Sequence, residues 1–281
     1  MLDAIEPMIT RIKLNRLAFE NGSYSLDGEA FSGVAYRVEA GKVLGNFVIN
    51  DGVKGEPEER WDVGVARVDF AVLEEKDETD PLLYLDDSPY NGFAFEFDSD
   101  TGALLSVFEH DETGNNGRGK EWFESGKLSG EFGRQRPDGK RESEAWYENG
   151  KRASLSCPSL SARLTEEGKL RYISLETPPP VEDIKRLELD ADAMLSLAGA
   201  GIDDAFLAQV KGLGATEKLS IRGTNLTTKG LQVFANSESL KSIDTAQNSG
   251  FSGADVQEIV GTIRNCQWVD RDTALKKLSK K

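Results

Sequence analysis

Through residues 14–172 apolar and polar positions alternate over short arms, as in Glu144-Ala-Trp-Tyr-Glu148 and Lys127-Leu-Ser-Gly-Glu-Phe132. Period two marks a strand with one buried face. The arms are punctuated by glycine in AYRVEAGKV (35–43), FEFDSDTGAL (95–104), EWFESGKL (121–128), AWYENGKR (145–152) and ARLTEEGKL (162–170). Gly102, Gly126 and Gly150 recur every 24 residues. A tight turn needs a positive φ that glycine adopts without a Cβ clash, and Asn149-Gly150 is a strong hairpin signal. The pattern predicts successive β-hairpins over residues 24–172.

The chain also repeats on a longer scale. SLDGEAFSG (25–33) matches YLDDSPYNG (84–92), placing Asp27, Phe31 and Gly33 opposite Asp86, Tyr90 and Gly92 at an offset of 59. After a two-residue insertion Gly41 matches Gly102 and Trp61 matches Trp122. The three prolines in Glu176-Thr-Pro-Pro-Pro-Val-Glu182 then interrupt the alternation, since they supply no backbone donor. Beyond them Leu219, Ile221 and Thr224 recur as Ile243, Thr245 and Asn248, each set passing from a short apolar run into a helical pattern. Further strands are expected at Arg186–Leu189 and Gln267–Val269. The domains read as 1–176, a proline-rich linker 177–181, and 182–281. The expected fold class is α+β: an elongated antiparallel β-hairpin repeat sheet followed by a short α/β solenoid.

Charge narrows the partners. The net charge is −15, and residues 1–100 hold 22 acids against 9 bases. Such a surface repels nucleic-acid phosphates and anionic lipid, and favours a basic protein partner. No stretch approaches the ~20 apolar residues that cross a bilayer. Two distant cysteines, Cys157 and Cys266, support neither a disulfide framework nor a thiolate metal site, which fits a reducing cytoplasm.

The FSG at 31–33 and the hairpins WFESGKL and WYENGKR resemble variant MORN-repeat proteins labelled as antitoxin components of bacterial toxin–antitoxin systems, over roughly residues 14–172. That resemblance implies an elongated hairpin sheet with no catalytic residue to carry over. Residues 184–269 are similar to a degenerate leucine-rich-repeat module, with consensus leucines replaced by Ile, Thr or Cys266. Such modules serve as binding scaffolds in most families.

Candidate chemistry is sparse. His110 is the only histidine, so a metal site with two histidines is excluded within one chain; no nucleophile elbow, phosphate-binding loop or calcium-loop spacing accompanies it. His110 is expected to be exposed beside a turn, GNNGRGKEW (114–122) to be a turn, and Glu142 and Glu144 to lie on a wet face. The acidic segments Asp77–Asp87 and Asp111–Gly117 read as solvated loops, and the basic tail 276–281 as solvating sequence. No catalytic residue, metal or cofactor is expected. The expected role is a non-enzymatic immunity or antitoxin-type protein occluding a basic toxin or effector, with a general adaptor or scaffold as the alternative and a carboxylate enzyme last. Expected contacts are Asp77, Glu78, Asp80, Asp86 and Asp87 for charge, with Trp61 and Tyr90 as aromatic anchors.

Overall fold

A computed structural model describes residues 9–58, 61, 64–76, 82–111, 114–136, 139–178, 181–187, 189–247, 250–263 and 266–270. The chain is mostly β and divides into two compact units, Met1–Gln135 and Arg136–Lys281. The proline-rich segment falls inside the second unit.

The duplication is visible in the first unit as two copies of one device. Thr10–Lys13 runs into a 3-10 turn, Leu14–Arg16, then a small three-stranded excursion, and the chain returns as Gly33–Glu39 parallel to its start. Ala66–Asp69, the turn Phe70–Val72, a second excursion and Gly92–Phe97 repeat the path. Gly33 and Gly92 have the same role, since a Cβ at either would lie 2.3 Å from the carbonyl of Thr10 or Ala66. Each returning strand continues into a hairpin, with Lys42–Asn50 or Leu104–Asp111.

The copies then exchange contacts. Lys13 N donates to Gly102 O and Asp69 N donates to Gly41 O, both at close range (3.0 and 2.8 Å). Ile12 bridges Ala103, and Val68 bridges Lys42. Six strands thereby close into a ring with pseudo-twofold symmetry, so the first unit departs from a purely antiparallel run. The cause is the excursion, which brings the chain back on the same side travelling the same way. One shared core holds the equivalent pairs Tyr36/Phe95 and Val43/Leu104. Two flanking cores hold Ile12, Phe31 and Ala35 in one copy and Val68, Tyr90 and Ala94 in the other.

From the ring the chain continues in antiparallel hairpins, Leu104–Asp111, Gly114–Trp122 and Leu128–Gln135. GNNGRGKEW is therefore a strand and not a turn. Gly119 permits it, because a Cβ there would lie 2.5 Å from the Phe108 ring.

The second unit opens with the antiparallel strands Arg141–Trp146, Arg152–Cys157, Leu160–Leu164 and Leu170–Leu175. The turns share one bonding scheme: Gly150 N donates to Tyr147 O while Tyr147 N donates to Lys151 O, and Thr165, Gly168 and Lys169 repeat it. Four parallel strands follow, Ala191–Ala198, Lys218–Arg222, Ser242–Ala246 and Gln267–Asp270, with Leu195, Leu219, Ile243 and Trp268 in register. The expected strand at Arg186–Leu189 is displaced to Ala191–Ala198. Between these strands lie the helices Asp204–Leu207, Thr228–Leu231 and Gly253–Thr262, each started by a side-chain cap from Asp203, Thr227 or Ser252. Strands on both sides of residues 177–181 pair directly, Leu170–Leu175 with Ala191–Ala198. One core runs from Leu155 to Ile263 beneath them.

Candidate functional site

An open cleft of about 450 Å³ lies on the pseudo-twofold of the first unit. Its floor extends the shared core, with Tyr36 and Phe95 at ring centroids 5.8 Å apart and Trp61 5.7 Å from Phe95. Its walls carry two equivalent arginines. Arg11 stacks over Trp122 at 5.1 Å and Arg67 over Trp61 at 4.7 Å, each arginine meeting the tryptophan of the other copy. Their places follow from the parallel ladders, where Arg11 sits opposite Val34 and Arg67 opposite Phe93.

The electrostatics of the cleft invert those of the chain. Five cations (Arg11, Arg67, Arg118, Lys120 and Arg134) line it against Glu58 and Glu131. Arg11 is paired to Glu58 at 2.9 Å, Arg134 to Glu131 at 3.0 Å, and Arg118 to Glu109 at 2.9 Å. The position equivalent to Glu58 in the second copy is Gly119. The Trp122 indole Nε1 is buried with no hydrogen-bond partner among the described residues. A buried orphan donor is costly, so this one N–H is a donor without its acceptor beside the cleft.

The sequence-derived contacts do not converge. Trp61 lines the cleft. Tyr90 is buried at 4% exposure and donates its hydroxyl to Phe93 O at 2.7 Å, so it packs the flanking core and presents no face to a partner. Burial pushes its phenol well above the ordinary value. Asp86 and Asp87 form the exposed tip of the second excursion, with φ of 49° and 63°, and Lys76 pairs with Asp87 at 3.1 Å. Asp77, Glu78 and Asp80 lie outside the described residues, as do the basic tail and Asn248.

His110 is not exposed beside a turn. It sits in the strand Leu104–Asp111 at 7% exposure against Tyr90, with Nδ1 unpartnered among the described residues. Burial lowers its pKa from the ordinary 6.5, partly offset by Asp111.

Glu142 and Glu144 are also not on a wet face, being 6% and 5% exposed. Strand parity explains this, because Glu144 pairs with Leu155, which faces the core. Three arginines from the neighbouring turn, strand and helix end cover them. Arg186 Nη1 lies 2.8 Å from Glu142 and its Nη2 pairs with Glu144; Arg152 lies 2.9 Å from Glu144, and Arg136 2.8 Å from the buried Asp183. Three carboxylates face three guanidiniums, which is a fully paired cluster tying Val181–Lys185 to the sheet. Cys157 lies beside it, 3.8 Å from Asp183 Oδ2. Burial, then the Asp183 charge, raises its thiol pKa, which opposes thiolate chemistry.

Among the described residues the opposite face of this sheet is half-buried to exposed. Ala145, Ser154, Arg163, Tyr172, Ser196, Ser220, Asp244 and Val269 stand in one cross-strand row over eight strands. Half of the row is Ala or Ser, and an open hollow of about 610 Å³ lies over Tyr172, Ser196, Ser220 and Asp244 beside the half-exposed Met194. Sequence reasoning missed both this row and the arginine pair of the cleft. The signal for the cleft was available in Arg11 and Arg67, which share one place in the duplication. Among the described residues no group of acids, histidines or cysteines could hold a metal, and no helix is long and apolar enough to cross a membrane. No protein-family model, curated protein or solved structure matches the chain.

Proposed function

We propose that the protein is a non-enzymatic scaffold that binds another protein through the outer sheet face of its second unit. The eight-strand row carries this reading. A sheet whose inner face packs on an apolar core and a buried charge cluster and whose other face holds Ser154, Ser196 and Ser220 offers a partner backbone close approach over a wide area. The parallel strands in 24-residue register, each followed by a capped helix, support a leucine-rich-repeat-like solenoid, and the glycine-closed hairpins support a MORN-like one. Both are scaffold architectures, and repeat proteins use such extended faces for binding.

The role we infer is of the immunity or antitoxin type, occlusion of a toxin or effector in the cytoplasm, with the acidic first hundred residues raising the association rate of a basic partner. The test is co-expression with the product of the adjacent reading frame. The two should co-purify and growth inhibition by that product should be relieved. Ser196→Arg with Ser220→Arg should abolish both effects while leaving the circular dichroism spectrum unchanged. Full neutralisation by that variant would refute the sheet-face reading.

A further inference from the structure

The first-unit cleft is built for a ligand of different charge from the partner that the acidic surface attracts. Its walls supply donors: two guanidiniums stacked on indoles, three further cations, and the orphan Trp122 Nε1. Its floor supplies aromatic rings, Tyr36, Phe95 and Trp61. We propose that this cleft binds an acidic peptide segment bearing an aromatic side chain, the ring seated on the Trp61–Phe95 floor and the carboxylates meeting Arg67 and Arg118.

Charge complementarity selects this occupant. Within a chain of net charge −15, the cleft lining carries five cations and two carboxylates. Its cations are strung along the walls, and four of them already meet single carboxylates, Arg11 at Glu58, Arg118 at Glu109, and Lys120 with Arg134 at Glu131. That spacing suits the separated single charges of a peptide. A phosphate chain concentrates charge at one point and is served by converging donors at a glycine-rich loop or helix start, and the described residues of the first unit contain no α-helix. The surrounding acid also opposes a polyanion. A peptide carboxylate exchanges one ion pair for another, while the Trp122 N–H gains the acceptor that it lacks.

The inference is independent of the sheet-face reading, because it concerns the other unit and is tested without the protein partner. The probe is a dye-labelled acetylated pentapeptide amide of alternating glutamate and phenylalanine, titrated into the full chain at low salt and followed by fluorescence anisotropy and tryptophan emission. Saturable binding is expected, weakened about tenfold by the glutamine counterpart of the peptide. Arg67→Gln should weaken it similarly, Arg67→Lys less, and Trp122→Phe should weaken it while keeping the ring. Ser196→Arg with Ser220→Arg should leave it unchanged. Equal binding of the glutamine or lysine peptide, or unchanged affinity in a folded Arg67→Gln variant, would overturn the proposal. Displacement of the peptide by equimolar ATP or oligothymidylate would overturn it in favour of a phosphate ligand.

Discussion

Glu142→Gln isolates what the buried charge cluster contributes. The substitution keeps size and an acceptor oxygen but removes the charge that Arg186 approaches at 2.8 Å and Arg136 at 3.4 Å. A pair of unit charges ~4 Å apart interacts by roughly 4 kcal/mol at an effective dielectric of 20. Breaking a fully buried pair costs about 3–5 kcal/mol because the remaining charge is stranded. Here the stranding is incomplete. Arg136 keeps Asp183, Arg186 keeps Glu144, and their side chains retain 20% and 26% exposure, so water reaches them. The expected loss therefore falls below that range, at about 2 kcal/mol. With a urea slope of about 2 kcal/mol/M the midpoint should fall by about 1 M. Trp146 and Trp268 report on the second unit in a background with Trp61→Phe and Trp122→Phe. Pairing the change with Arg186→Met should recover part of the loss. A midpoint that moves by less than about 0.2 M would show the cluster to be solvated and the burial argument wrong.

The histidine gives a pH test. Because its folded pKa lies below the ordinary 6.5, the folded state binds fewer protons, so stability is full above pH 6.5 and falls as pH drops toward the folded value, by at most about 1.4 kcal/mol per pH unit. His110→Gln should flatten that slope in urea melts between pH 5 and 7 if His110 is its source; an unchanged slope would assign it elsewhere. Asp87→Gly places at φ 63° the residue type that the equivalent Gly28 already has, and should raise stability by about 0.5 kcal/mol in the same assay. A loss would mean that the Lys76 contact outweighs the backbone strain.

What the sequence disclosed was local. Hairpins such as Tyr147–Lys151 were legible because the turn, its glycine and its alternating arms lie within a few residues. The ring was not legible, since its parallel pairs join Thr10 to Gly33 and Ala66 to Gly92 across whole excursions that leave no period in the chain. The first parallel strand was misplaced although the signal existed, because one 24-residue step back from Leu219 falls on Leu195. Glu142 and Glu144 were misread because acids in a strand look solvated; their phase with Leu155 across the hairpin, and the arginines 6 to 44 residues away that cover them, decide otherwise. For the candidate site, the sequence pointed to Trp61, which lines the cleft, but the cationic lining was masked by a net charge of opposite sign.

The crossed bonds of the ring bear on how it assembles. Neither copy satisfies itself, because the amide of Lys13 finds its acceptor on Gly102 and that of Asp69 on Gly41. Residues 9–58 made alone would carry a donor and an acceptor whose partners reside on an identical molecule, which is the condition for a symmetric dimer. Joining the copies in one chain replaces that bimolecular encounter with an intramolecular one, at an effective concentration set by the connecting segment. The ring is therefore a dimer fused into one polypeptide, and its first half must wait for the second to be synthesised before it can close.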